Sequence, residues 1–188
     1  MDEINNRKDI LLLLLYLPGS KGKNAEPISG RTRLMKLLYL LSRDKGIDKT
    51  LGIRNYYRFE AYDYGPFSKD VFEDVQFLRN VGLIEANPEE SSNPIEQWEN
   101  YQIILESVGD PEKEEIGAPY QEELFTLTEK GTRFVEEKLL PVLGEDVKNK
   151  ILSVKANEGS MSLTSLLRYV YTKYPESASR TKLTHLVK

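Results

Sequence analysis

Two stretches decide the fold: Leu78-Arg79-Asn80-Val81-Gly82-Leu83-Ile84 and Phe125-Thr126-Leu127-Thr128-Glu129-Lys130-Gly131. In the first, a helical pattern carried by Val71, Phe72, Val75, Leu78 and Val81 stops at Gly82. A glycine there lets the chain turn left-handed, so that Leu83 and Ile84 fold back towards the core as a strand. In the second, residues 124–127 read as a returning strand and Thr128 stands where a helix cap belongs. The helix it opens carries Phe134, Val135, Leu139 and Leu140 and ends around Pro141 to Gly144.

Upstream, a helix from about Asn6 to Tyr16 is apolar all round over Leu11 to Leu15, which predicts burial on most sides. Pro18 and Gly19 stop it, and residues 18–28 read as a loop. A second helix is expected from Ser29, as N-cap, to Gly46; Leu34, Leu37, Leu38 and Leu41 form its inward stripe. Tyr56 to Tyr62 fits a strand, Tyr64-Gly65-Pro66-Phe67-Ser68 a turn, and Ser68 a cap for a third helix from Lys69. Downstream, helices are expected over about Glu145 to Ala156 and Leu163 to Tyr174, the latter capped by Ser162 and ended by Pro175.

This order of helix, helix, short strand, helix, strand, long wing and strand resembles a winged helix-turn-helix. The expected class is mainly α with a small antiparallel sheet (α+β). The winged-helix domain would cover 1–144, with an acidic wing insert at 85–123 and a C-terminal helical extension at 145–188. A narrower resemblance rests on Arg33-Leu34-Met35-Lys36-Leu37-Leu38-Tyr39-Leu40-Leu41 followed by Phe59-Glu60-Ala61-Tyr62-Asp63-Tyr64-Gly65-Pro66-Phe67-Ser68. These segments look like those of the YwgA-like proteins and the related SocA (Panacea)-type antitoxin domain, which share a Lys-Leu-x-Tyr-Leu helix and a Tyr-Gly-Pro-Tyr/Phe-Ser turn. The match spans roughly residues 28–84 plus Leu127-Thr128-Glu129-Lys130-Gly131, and it implies an antitoxin-like binding role.

Charge is unevenly placed. The chain carries −4 overall, but residues 85–123 hold twelve acids and one base, a net −11, which leaves +7 on the rest. Within the insert, Tyr101 to Val108 fits a strand. There is no cysteine, so disulfides and thiolate metal sites are excluded. The apolar run Ile10 to Leu17 is eight residues, against roughly 20 for a membrane helix. The start Met1-Asp2-Glu3 lacks a signal peptide's basic residues. A soluble, cytoplasmic protein without a membrane partner is expected.

Little in the sequence suggests catalysis. The sole histidine, His185, lies in the tail without partners for acid–base or metal chemistry. No Gly-rich phosphate loop follows a strand, and no carboxylate spacing matches a calcium loop. A non-enzyme without cofactor or metal is expected. Candidate binding residues fall in three groups. Arg31, Arg33, Lys36 and Arg43 form a basic stripe beside the second helix's apolar face, suited to phosphate contacts. Tyr64, Gly65, Pro66, Phe67 and Ser68 form the aromatic turn. Lys69 and Arg79 lie on the third helix, whose outward residues Lys69, Asp70, Glu73, Asp74, Gln76, Arg79 and Asn80 set three acids against two bases.

Acids on this helix and in the wing oppose a DNA groove. The reading is therefore a protein-interaction module: antitoxin-like, an adaptor or an oligomeric regulator. The alternative is a DNA- or RNA-binding regulator that uses the basic residues of the second helix and the C-terminal region. Homodimerisation is compatible with either.

Overall fold

The computed structural model describes residues 3–88, 123–183 and 186. Most of the acidic insert, including the strand expected at Tyr101 to Val108, and His185 lie outside the described residues.

The chain is mostly helical with small antiparallel sheets. Helix α1 (Arg7–Tyr16) opens at Asn6, whose side chain accepts from the Lys8 amide, and Ile10 to Tyr16 are all buried. Strand β1 (Ile28–Ser29) leads into α2 (Arg31–Arg43), and a short α3 (Ile47–Leu51) follows. Then come β2 (Glu60–Tyr62), β3 (Gly65–Phe67), α4 (Lys69–Asn80), β4 (Ile84–Pro88) and β5 (Glu123–Leu127). Helix α5 (Glu129–Phe134) continues through a π turn, Val135–Leu139, and a 3-10 turn, Leu140–Val142. Helices α6 (Glu145–Asn157) and α7 (Leu163–Lys173) close the described order apart from short 3-10 turns.

One sheet has the order β1-β5-β4. Ile28 lies opposite Phe125, and Ile84 lies opposite Leu127. Ile28, Ile84 and Phe125 are its buried members. The other sheet is the β2–β3 hairpin, with Glu60 opposite Phe67 and Tyr62 opposite Gly65.

Several local expectations change. Ser29 does not cap α2: it pairs with Leu124 in β1, and Gly30 takes the cap position without a side-chain bond. The ladder to β5 is extended by the Gly30 amide, which donates to Glu123 O, so the chain stays extended one residue past Ser29 and the helix begins after Gly30. Of the strand expected at Tyr56 to Tyr62, only Glu60–Tyr62 is extended and paired. Tyr56 and Tyr57 are instead buried anchors, with hydroxyls that donate to Leu38 O (3.1 Å) and Arg7 O (3.4 Å). The expected turn is itself half of a hairpin, because Gly65, Pro66 and Phe67 pair with β2. Ser68 holds the cap position of α4, but its hydroxyl is buried without a hydrogen-bond partner. Thr128 and Ser162 do cap, accepting from the amides of Gly131 and Ser165.

The largest departure concerns α2. Its leucine stripe reads as the inner face of a surface helix. In the fold, every residue from Arg33 to Leu41 is buried, because α6 and α7 also pack against this helix. The C-terminal helices add Ile151, Val154, Leu166, Leu167, Val170 and Tyr171 to the same apolar cluster as α1 and α2. Each leucine fully buried in this way contributes about 1.5–3 kcal/mol. That gain is large enough to carry two cationic side chains, Arg33 and Lys36, into the interior with it.

Candidate functional site

The outward face of α4 and the β2–β3 hairpin carry a continuous aromatic strip. Tyr62 meets Phe67 at a centroid distance of 5.1 Å, and Phe67 meets Phe72 at 5.6 Å, both tilted by less than 40°. Arg180 lies over Tyr62 at 5.8 Å and Arg31 over Phe72 at 5.6 Å, so a cation stands at each end. Phe72 and Phe77 line a groove of ≈ 580 Å³ together with Arg31, Val75, Arg79 and Glu123. Phe77 is 50% exposed and Tyr62 46%; with Val142 they are the exposed large hydrophobic residues among those described. Lys8 sits over Phe77 at 5.4 Å.

Among the described residues, the acids of this face are compensated by cations. Asp74, expected on the surface, is 4% exposed. Arg7 Nε donates to its Oδ2 at 2.7 Å and Lys8 lies 3.3 Å from its Oδ1, while Arg7 Nη1 also holds Asp70 at 2.8 Å. Lys69 pairs with Glu73 at 3.2 Å. Glu123 receives Arg31 and has Arg79 at 3.9 Å; the Arg31 hydrogen bond holds its carboxyl below the usual range.

The residues expected to bind divide sharply. Arg31, Phe67, Lys69 and Arg79 do come together on or beside the aromatic strip. Arg33 and Lys36 do not form an exposed basic stripe. Arg33 is 8% exposed and donates to the carbonyls of Gly159 and Met161. Lys36 is 2% exposed and donates to Pro66 O at 2.9 Å; burial pushes its amine down to about 7. Arg43 is on the surface but is paired with Glu176 at 2.8 Å. The basic C-terminal region is similarly engaged, with Lys173 on Asp44 and Lys182 on Asp63. A phosphate would have to displace these internal carboxylates.

The turn motif acts inward. Gly65 has φ +78°, and a Cβ there would fall 2.5 Å from Tyr171 Cε1, so this position needs glycine for both its angle and its space. Pro66 offers its carbonyl to Lys36, the Ser68 amide points at Met35 Sδ (3.4 Å), and Tyr64 packs against the core. Only Phe67 of the motif reaches the aromatic strip. No family model matches the chain. The Lys36–Pro66 bond ties the helix segment to the turn segment.

The signal missed in the sequence is Phe77. Its spacing from Leu78 looks like the edge of the core stripe, and only the packing shows it facing solvent. Among the described residues, no cluster of three His, Cys, Asp or Glu could hold a metal, and no helix is long and apolar enough to cross a membrane.

Proposed function

We propose that the chain is a non-enzymatic, cytoplasmic, winged-helix-type protein-interaction module that docks a partner protein on the aromatic strip of α4 and the β2–β3 hairpin. The observation that carries this is Phe77, half-exposed on the helix that a winged helix presents to its ligand, beside Phe72, Phe67 and Tyr62. Aromatic anchors flanked by arginines are what protein interfaces concentrate their binding energy in. The winged-helix reading is supported by the sheet order: β1 lies between the first two helices, and β4 and β5 follow the helix that bears the face. The antitoxin-like resemblance is consistent with such a use. A nucleic-acid regulator using the second helix is disfavoured, because Arg33 and Lys36 are spent on buried carbonyls.

Phe77→Asp is expected to leave the melting temperature within about 2 °C, as for a surface change. A photo-crosslinking phenylalanine analogue at position 77 should yield a discrete adduct with one polypeptide in the native cell. The same group at Val142 should not. Salt-dependent binding to duplex DNA that is abolished by Arg79→Glu, with no adduct from position 77, would replace this reading with the regulator.

A further inference from the structure

A second concave surface lies apart from the aromatic strip, between the start of α1 and the segment joining α3 to β2. It is a cleft of ≈ 730 Å³, within the size range of small-molecule sites. Its lining is rich in cationic and amide side chains. Arg54 and Arg58 are exposed in it, and Asn5, Asn6 and Asn55 add side-chain amides. The Asn6 Oδ1 is occupied by the Lys8 amide at 3.0 Å, which leaves its NH2 group as the free end. The one carboxylate in the lining, Asp70, is already held by Arg7 Nη1 at 2.8 Å. Asp74 behind it takes the rest of Arg7 and faces Lys8. The Tyr56 hydroxyl is spent on Leu38 O. The charge left over in the cleft is therefore that of two guanidinium groups.

Their placement is fixed by burial on the same short segment. Ile53, Tyr56 and Tyr57 are buried, and the two tyrosines are tied to α2 and α1 through their hydroxyls. Arg54 and Arg58 emerge on either side of these anchors. Backbone held in this way reduces the entropy lost when the arginines close on a ligand. Concave, like-signed charge also focuses field lines.

The geometry points to a phosphate-binding site in this cleft, with Arg54 and Arg58 as the charged contacts and Asn5, Asn6 and Asn55 as neutral donors. Guanidinium groups recognise phosphate oxygens bidentately, and a pair of them selects a ligand with more than one phosphate group over a single small anion. The phosphates belong either to a soluble phosphoanhydride or to a nucleic-acid backbone.

Calorimetric titration of the full chain with pyrophosphate at low salt tests this. One-to-one saturable binding is expected, weakened about tenfold or more in the Arg54→Ser/Arg58→Ser double variant. Asn55→Asp, which places a carboxylate in the cleft, should cause a similar loss if the double variant fails to fold. Titration with a short DNA duplex at matched phosphate concentration separates the sources. Tighter binding than pyrophosphate, lost in the same variants, assigns the backbone; binding of pyrophosphate alone assigns the soluble anion. A response no larger than that to sodium chloride of equal ionic strength, or one unchanged in the variants, overturns the site. Neither result depends on Phe77 or Arg79.

Discussion

Gly131→Ala is expected to destabilise the protein by about 3 kcal/mol, lowering its melting temperature by roughly 6–12 °C. A Cβ at this position would lie far inside van der Waals contact of the Leu83 carbonyl oxygen and within 2.9 Å of its carbon. Neither side can give way cheaply. The Leu83 carbonyl accepts from the Thr128 amide at 3.1 Å, and the Thr128 hydroxyl donates to Gly82 O at 2.7 Å. The start of α5 is thus tied to the chain leaving α4 by two hydrogen bonds, one from the Thr128 amide and one from its hydroxyl. Gly159→Ala is the control. A Cβ there meets its neighbours at 3.7 Å or more, so the change should be neutral or stabilising by about 0.5 kcal/mol. Thermal unfolding of both variants measures the difference. Equal melting temperatures for the two would show that the α4–α5 junction relaxes freely and that the close approach has no energetic weight.

Replacing Lys36 with methionine should remove a large part of the pH dependence that the wild type shows above neutrality. In the folded protein, burial lowers the Lys36 amine to about 7, against an ordinary value of 10.5. Between these values the unfolded chain binds a proton that the native state does not, so stability rises with pH. Below about 7 both states are protonated, and the full cost of burying the charge is present and constant. The slope approaches about 1.4 kcal/mol per pH unit, so wild-type stability relative to Lys36→Met should rise by on the order of 3 kcal/mol from pH 7 to 9.5. Lys155, lowered by burial to about 8, adds a rise of the same sign, but it is common to both proteins and cancels in the difference. The buried Tyr56 and Tyr57, raised by desolvation, retain their protons in the folded state and reverse the trend above about pH 10. Urea unfolding of both proteins across this window checks the prediction. A flat difference would mean that the folded Lys36 amine stays charged throughout, with water or a counter-charge beside it.

These two positions also mark how far the sequence could be read. Gly131 stands in a phrase whose strand-to-helix character was legible, since Thr128 and the following apolar period depend on near neighbours alone. That the glycine is required by a carbonyl 48 residues upstream was not legible, because the contact is set by how two helices meet. Lys36 shows the opposite failure. Its sequence neighbours Leu34, Leu37, Leu38 and Leu41 mark one buried face, and their periodicity leaves the lysine on the remaining, solvent side. The same reasoning misplaced Arg33 and Asp74. A hydrophobic period records one buried stripe; it cannot show that α6 and α7 cover a second one, or that Arg7 reaches across to neutralise Asp74.

Most of what this sequence determined by itself was local. The ends of α1, α4 and α7, the caps at Thr128 and Ser162, the inward leucines of α2 and the left-handed glycine at 82 follow from backbone preferences and short-range periodicity. The mainly helical class with a small antiparallel sheet followed as well. Tertiary structure alone decided which charges remain available. It buried Arg33 and Lys36 against carbonyls, paired Arg43, Lys173 and Lys182 with carboxylates distant in sequence, and left Phe77, Arg54 and Arg58 facing solvent. The physical reason is that a charge's usefulness to a partner depends on whether it is already compensated, and compensation here comes from residues brought together only by folding.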